Sequence, residues 1–131
     1  MINKLNQVAK NALATYSNFH VGAVFILDNN LEFSGFNVEN AAYSLTMCAE
    51  RVAIYSMLNQ GIDVRRTKEI HIFSPDAKQH LSPCGACRQV MSEFLKPETK
   101  IFMYNQNGAC ISNTFIELMP LPIKQDIIEG K

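Results

Sequence analysis

The sequence lacks any run of apolar residues long enough to cross a membrane. A membrane-spanning helix needs roughly 18 or more consecutive apolar residues, and no stretch approaches that length. The amino-terminal stretch has apolar residues at helical spacing with polar residues between them, so we predict no secretory signal. The expected location is therefore the cytoplasm. There the four cysteines are expected to be reduced or metal-bound rather than paired in disulfides.

The sequence also lacks an excess of charge of either sign. Lys and Arg together number 12, Asp and Glu together number 12, and the formal net charge is zero. Such a chain has no evident electrostatic attraction to nucleic acid or to an anionic membrane, which is compatible with a small uncharged substrate. Zero net charge also does little to resist self-association. With no repeat or linker, 131 residues of which 47% are apolar predict a single domain over 1–131.

The pattern of apolar residues predicts a mixed sheet with helices on both faces. The first predicted helix ends near residue 15, and three further helices are predicted over 48–59, 85–95 and 114–119. Strands are predicted over 21–27, 31–38, 69–74, 100–104 and 109–112. The first two strands form an antiparallel hairpin, and the helices between later strands imply parallel pairing. The expected fold class is α/β, a three-layer α/β/α arrangement around a mixed five-stranded sheet.

Three cysteines stand at the starts of two predicted helices. Cys84 and Cys87 form a Cys-x-x-Cys pair, a spacing that lets both thiolates reach one metal ion, and Pro83 suits the first helical position. Cys48 has a similar position on the preceding helix. Each helix start offers free N–H groups and the positive end of the helix dipole, which stabilise thiolates. A zinc site with three protein ligands keeps one position for water, as catalytic zinc sites do.

Four other side chains are candidates for a fourth ligand, namely Cys110, His20, His71 and His80. None has a short spacing to one of the three cysteines. Cys110 is better explained as a small core residue of a strand. His71 alternates with two isoleucines on a strand, so a solvent-facing or hydrogen-bonded histidine is the simpler interpretation. The other two histidines lie in predicted loops and carry no further signal.

Glu50 and Arg51 follow Cys48 in the first helical turn. A glutamate there often complements the helix dipole or completes a capping box, but Met47 excludes the box, which needs Ser or Thr. Arg51 taken alone is a solvated helix residue. The combination of Cys-Ala-Glu at 48–50 with Pro-Cys-x-x-Cys at 83–87 matches the zinc deaminase pattern, in which the glutamate moves protons.

A wider match is carried by four segments: YSNFHVGA at 16–23, NVENAAY at 37–43, CAER at 48–51 and SPCGACRQ at 82–89. In order and register they resemble the small homotetrameric zinc-dependent cytidine deaminases, from about residue 16 to residue 120. The resemblance implies a cytidine deaminase-like fold with one zinc ion per subunit. It also implies hydrolysis of cytidine, and of deoxycytidine, to uridine or deoxyuridine and ammonia, a reaction of pyrimidine salvage. Water activated on the zinc would attack carbon 4 of the ring.

The resemblance also implies roles for individual residues. Cys48, Cys84 and Cys87 would bind zinc, Glu50 would be the proton shuttle, and Arg51 would offset the negative charge of three thiolates. Substrate contacts would come from Phe19 stacking on the pyrimidine, Asn37 and Glu39 at the ribose hydroxyls, the Ala49 backbone at the base edge, the Ser82 carbonyl at the leaving amine, and Tyr43 near a neighbouring subunit's site. Asn37 and Glu39 alternate along an extended segment, so they are expected to point to one side.

One position departs from the family pattern, and three other functions remain open. The family commonly has a phenylalanine in its tail that closes over the base in a neighbouring subunit, and Ile123 stands there.

The alternatives to a cytidine deaminase are a deaminase of another aminopyrimidine such as blasticidin S, a structural zinc module, and a thiol-redox protein. Asn37 and Glu39 favour a plain nucleoside over the first. The second requires a fourth protein ligand, and the third leaves Cys48 and Glu50 without a purpose.

Overall fold

The computed structural model describes residues 1–130, which form a five-stranded sheet with helices on both faces. The elements are α1 (Ile2–Lys10), β1 (Gly22–Leu27), β2 (Glu32–Phe36), α2 (Ala49–Asn59), β3 (Thr67–Phe73), α3 (Gly85–Ser92), β4 (Lys100–Tyr104), β5 (Cys110–Thr114), α4 (Phe115–Leu118) and α5 (Gln125–Ile128), with short 3₁₀ turns at Tyr43–Leu45 and Val64–Arg66. The strand order is β2-β1-β3-β4-β5. Strands β3 and β4 pair in parallel and the other neighbours pair antiparallel, which confirms the predicted mixed sheet.

The interior strand β1 shows why the fold has three layers. All six of its residues are buried, as expected for a strand that is covered on both faces. Ala23, Phe25 and Leu27 pack into the core that α2 and α3 complete. Val24 and Ile26 face the other side, where they pack with Leu5 of α1. Successive side chains of a strand point to opposite faces, so one apolar run serves both layers.

Two glycines allow helices to approach the sheet closely. A Cβ atom on Gly35 of β2 would lie 2.4 Å from the carbonyl oxygen of Ala49 and 2.5 Å from the nitrogen of Ala53, both in α2. A Cβ atom on Gly22 of β1 would lie 2.6 Å from the carbonyl oxygen of Leu5 in α1. Only glycine leaves room for such contacts. The Gly35 contact fixes the first turn of α2 directly against the sheet.

The first helix and the second strand are both shorter than predicted, because the residues that follow each of them form main-chain hydrogen bonds with other segments. Helix α1 ends at Lys10 rather than near residue 15, and the chain then runs extended through Leu13. The Leu13 N–H donates to the Asn37 carbonyl at 3.0 Å, and the Glu39 N–H donates to the Leu13 carbonyl at 2.9 Å. Beyond Phe36, Val38 exchanges two hydrogen bonds with Met47 instead of continuing the ladder to β1.

The remaining differences lie at element ends. Strand β3 covers 67–73 rather than 69–74, and α3 ends at Ser92 because the chain up to Leu95 turns before Pro97. Strand β5 runs on to Thr114, whose main-chain N–H and hydroxyl both bond to the Glu117 carboxylate and cap α4. Helix α5 was not predicted, since only one turn of apolar spacing marks it.

Candidate active site

Two helix starts bring the cysteines together. Cys48 is the N-cap of α2 and Cys84 is the N-cap of α3, and both have extended backbone angles. Cys87 lies one turn into α3, and its N–H donates to Cys84 Sγ at 3.5 Å. The prediction that Pro83 occupies the first helical position is wrong, because Gly85 takes that place and Pro83 precedes the cap. The positive N-terminal ends of both helices thus lie at the cysteines, and α3 also directs an N–H group at a sulfur.

The three sulfurs form a compact group that fits a zinc ion. The Sγ atoms of Cys48, Cys84 and Cys87 all lie within 4.8 Å of one another, and those of Cys48 and Cys84 are 3.6 Å apart. Tetrahedral zinc with bonds of about 2.3 Å to sulfur separates its ligands by about 3.8 Å. In the described part of the chain no fourth ligand side chain joins this group. A metal held here keeps one coordination position for water.

The four candidate fourth ligands all lie elsewhere. His71 is buried on the α1 side of the sheet, where its Nδ1 bonds to the Tyr104 hydroxyl at 2.8 Å, so the predicted hydrogen-bonded histidine is confirmed. His20 bonds to Asp76 at 2.9 Å, and His80 is exposed in a loop. The interpretation of Cys110 as a core residue is wrong. Cys110 is exposed because β5 is an edge strand.

Glu50 is buried beside the sulfurs, with 4% of its surface exposed. The Cys87 thiol donates a hydrogen bond to Glu50 Oε2 at 3.3 Å. Burial raises the pKa of the Glu50 carboxyl, because removal from water disfavours the charged form. A glutamate that only complemented the helix dipole would gain nothing from burial. Its position instead suits a group that takes up and releases a proton next to the metal.

Arg51 faces the thiol cluster rather than solvent. Its Nη2 donates a hydrogen bond to Cys48 Sγ at 3.4 Å. The interaction with the Cys87 side chain, together with the hydrogen bond from Arg51, lowers the pKa of Cys48 to about 5. The same contact with Cys48 raises the pKa of the Arg51 guanidinium. A fixed positive charge therefore stabilises thiolate at this position.

A cavity of about 280 Å³ opens onto the thiol cluster. It is lined by the predicted site residues Phe19, Asn37, Glu39, Cys48, Ala49, Glu50, Ser82 and Cys84, and also by Ser17, Val21, Thr46 and Leu81. Asn37 and Glu39 thus share one side of the chain, as their alternation predicts. The last four lining residues were missed, because small and apolar types in loops carry no chemical signal in the sequence.

Asn37 is held rigidly at the wall of this cavity, with 8% of its surface exposed. Its Oδ1 accepts a hydrogen bond from the Val21 N–H at 2.8 Å, and its Nδ2 donates to the Phe19 carbonyl at 2.8 Å. One N–H and one lone pair of the amide remain for a ligand. These bonds also fix which end of the amide is the oxygen.

The predicted substrate residue Tyr43 lies outside the cavity of its own chain, and so does Ile123, which stands where the family has its base-covering phenylalanine. Tyr43 is 74% exposed, and its ring packs edge-on against Tyr16 with centroids 5.8 Å apart. Ile123 is 55% exposed, and its carbonyl accepts a hydrogen bond from Gln89 Nε2 at 3.1 Å. The resemblance assigns both positions to the site of a neighbouring subunit, and that assignment stays a prediction.

Comparison with known proteins agrees with this site. Residues 1–103 match the family described as "Cytidine and deoxycytidylate deaminase zinc-binding region", and the chain belongs to that family. The cytidine deaminase of Halalkalibacterium halodurans is 38% identical over 92% of this chain and 89% of its own length. The cytidine deaminase of Mycoplasma genitalium is 35% identical over 91% and 89%. The crystal structure of cytidine deaminase from Burkholderia pseudomallei superposes with a TM-score of 0.84 at 36% identity, covering 94% of this chain and 99% of that one.

Two further observations bear on the alternative functions. The blasticidin-S deaminase of Bacillus cereus is 30% identical over 78% of this chain and 75% of its own, a weaker similarity than that of the cytidine deaminases. Within residues 1–130, no helix has the length and apolar character needed to span a bilayer. The three-sulfur group and the buried Glu50 argue against a structural zinc module.

Proposed function

We propose that this chain is a zinc-dependent cytidine deaminase that hydrolyses cytidine, and deoxycytidine, to uridine or deoxyuridine and ammonia. The observation that carries the proposal is that three cysteine sulfurs meet the buried carboxyl group of Glu50 at the end of one cavity, which Cys48, Cys84 and Glu50 line. Cys48, Cys84 and Cys87 would hold the zinc. Sequence similarity to cytidine deaminases over nine-tenths of the chain supports this choice of substrate.

Zinc held by the three cysteines would supply a Lewis acid that makes a water molecule more acidic. Glu50 would accept a proton from the attacking water and deliver it to ring nitrogen 3, while the water oxygen bonds to carbon 4. Glu50 would then move the remaining proton of the added hydroxyl to the amino nitrogen, the bond between carbon 4 and that nitrogen breaks, ammonia leaves, and the oxygen stays as the carbonyl of uridine. The raised pKa of Glu50 suits this task, since the group must both accept and release a proton. Arg51 offsets the formal negative charge of the three thiolates.

The cavity wall would orient the nucleoside. Phe19 stacks on the pyrimidine, while the remaining donor and acceptor of Asn37 and the carboxylate of Glu39 bind ribose hydroxyls. The Ala49 backbone contacts the base edge, and the Ser82 carbonyl faces the leaving amine. All five residues line the same cavity as Glu50.

We further propose a homotetramer with its sites at subunit contacts, located in the cytoplasm, in which each chain is one domain over 1–131. Support comes from large exposed side chains near the cavity mouth, namely Leu13, Tyr16, Tyr43 and Leu45. Such a patch is typical of an interaction surface. Tyr43 and Ile123 would complete the site of a neighbouring subunit. No nucleic-acid polymer or membrane takes part.

The decisive experiment measures ammonia release from cytidine by the wild type and by Glu50→Gln, with zinc quantified in both. We expect full zinc in both proteins and a kcat that is lower by roughly 10²- to 10⁴-fold in the variant. Glu98→Gln, at an exposed position, serves as the matched control. A zinc-loaded wild type that releases no ammonia would contradict the proposal. Parallel assays with deoxycytidine and blasticidin S distinguish the alternative substrate.

A further inference from the structure

Two residues of the loop before β1, Tyr16 and Ser17, form hydrogen bonds with the Glu39 carboxylate, which lies 23 and 22 positions further along the sequence. Glu39 Oε1 accepts hydrogen bonds from the main-chain N–H groups of Tyr16 and Ser17, each at 2.9 Å. Glu39 Oε2 accepts a hydrogen bond from the Ser17 hydroxyl. A carboxylate has about four acceptor sites, so these three bonds leave one on Oε2. A single direction is therefore open for a hydroxyl of the ligand.

The Ser17 hydroxyl has a second partner on the same loop. Its oxygen accepts a hydrogen bond from the Phe19 N–H at 3.0 Å while its proton goes to Glu39. Asn18 between them has a φ of 57°, the left-handed conformation that asparagine tolerates better than most residues. This turn brings the Phe19 N–H back over Ser17. The Ser17 hydroxyl thus links the Glu39 carboxylate to the main chain of Phe19, the residue proposed to stack on the pyrimidine.

Both main-chain polar groups of Phe19 form hydrogen bonds with side chains at the cavity. Ser17 holds its N–H, and Asn37 Nδ2 holds its carbonyl at 2.8 Å. Both Asn37 and, through Ser17, Glu39 therefore fix the segment that carries the aromatic ring. Because Ser17 is exposed at the cavity, it acts on the placement of ring and carboxylate through these hydrogen bonds and not through packing of its own side chain.

The same loop favours the ionised form of Glu39. The hydrogen bond from the Ser17 hydroxyl is the largest cause that lowers the pKa of Glu39. The carboxylate therefore stays ionised further into the acid range than an unperturbed glutamate, and an ionised carboxylate is the stronger acceptor for a hydroxyl.

We propose that Ser17 is a positioning residue that sets Glu39 and Phe19 relative to each other and directs the last acceptor site of Glu39 towards a sugar hydroxyl. The proposal rests on the proposed function, which makes Glu39 and Phe19 contacts of the nucleoside. Ser17 acts through these two residues and takes no part in the proton transfers. Its loss should weaken binding of the nucleoside more than it slows the chemical step.

The test compares Ser17→Ala with Ser17→Thr in the zinc-loaded enzyme. For Ser17→Ala we expect the KM for cytidine to rise roughly 5- to 20-fold with kcat within about twofold, since a hydrogen bond to a charged group is lost. The Kd for uridine, the product, should rise by a similar factor without any turnover. Ser17→Thr keeps the hydroxyl and should restore both constants. Thr15→Ala, a hydroxyl deletion at an exposed neighbour, should leave them unchanged.

A measurement without ligand separates this proposal from the proposed function. Amide hydrogen exchange at Phe19 should be faster in Ser17→Ala than in the wild type and slow again in Ser17→Thr. In a Glu39→Gln background, Ser17→Ala should add little to the KM. Unchanged exchange, or an unchanged KM and Kd in an active enzyme, overturns the role of Ser17 and leaves the proposed function standing. A wild type with slow exchange at Phe19 but no deamination of cytidine would instead overturn the proposed function, and with it the role of Ser17 in nucleoside binding.

Discussion

Arg51 Nη2 lies 3.4 Å from Cys48 Sγ, one helical turn away on α2. The Nε atom of the same guanidinium is buried and has no hydrogen-bond partner among residues 1–130. A buried donor without a partner destabilises a fold, so the arginine would not stay there for stability alone. The proposed role of Arg51, offsetting the negative charge of three thiolates, would account for this position.

We therefore predict that Arg51→Gln lowers both zinc retention and turnover, each by roughly 10- to 100-fold, as loss of a group behind a metal ligand commonly does. The measurements are zinc content after dialysis against a chelator and kcat on cytidine. Arg65→Gln is the control, because Arg65 is exposed and paired with Asp63 at 3.0 Å, away from the sulfurs. If Arg51→Gln kept both zinc and turnover at wild-type levels, charge compensation would be the wrong explanation.

Ile123 offers a test of the tail. We predict that Ile123→Phe lowers the KM for cytidine, because a flat ring can stack on the base where isoleucine cannot. Gln89 holds the Ile123 carbonyl in the wild type, so the substitution changes only the side chain at a fixed point of the backbone. Leu121→Phe, at a position 93% exposed, controls for added apolar area. A KM that does not move would show that the tail does not reach a site.

Gly35 offers a test of the contact between β2 and α2. We predict that Gly35→Ala lowers the free energy of unfolding by about 1–3 kcal/mol or more, because its Cβ would overlap main-chain atoms of Ala49 and Ala53 that cannot move separately. Urea denaturation of both proteins measures the change. Gly85→Ala is the control, since a Cβ there meets nothing within 4 Å and helix propensity favours alanine. Equal stability of Gly35→Ala and the wild type would contradict the close approach.

His71 predicts a pH dependence of stability. Burial is the largest cause that lowers its pKa from about 6.5, although the Glu69 carboxylate opposes this and the amino terminus adds to it. The unfolded chain therefore binds a proton at a higher pH than the native state does. The stabilising contribution of His71 is complete above about pH 6.5 and is lost as the pH falls below that value.

The measurement is urea denaturation at about pH 7.5 and pH 5.5 for the wild type and for His71→Gln, an amide that can still bond to the Tyr104 hydroxyl. The wild type should lose more free energy of unfolding between the two pH values than the variant does. An equal loss in both proteins would mean that His71 titrates alike in the folded and unfolded chain.

The order and type of the main elements were predictable, whereas the places where they end often were not. A fully apolar β1 and the helices after Cys48 and Cys84 follow from local periodicity. The end of α1 does not, because it depends on hydrogen bonds of Leu13 to Asn37 and Glu39, more than twenty residues away. Local propensity cannot report such a pairing.

The candidate site divides in the same way. Cys48, Glu50, Cys84 and Cys87 could be predicted from short spacings at helix starts, because helix geometry turns sequence spacing into distance. Ser17 could not, since its partnership with Glu39 forms between two irregular segments. The contacts of Tyr43 and Ile123 with another subunit stay predictions, because they rest on resemblance and not on distances within the chain.

Cys48 and Cys84 lie 36 positions apart in the sequence and 3.6 Å apart at their sulfurs. A metal ion bound by both acts as a cross-link that closes a long loop of chain, across the whole of α2 and β3. A disulfide that closes such a loop stabilises the folded protein by about 4 kcal/mol, because it lowers the conformational entropy of the unfolded chain. The ion that serves catalysis therefore also holds the folded chain against unfolding, and removal of the metal should loosen α2 and α3 together.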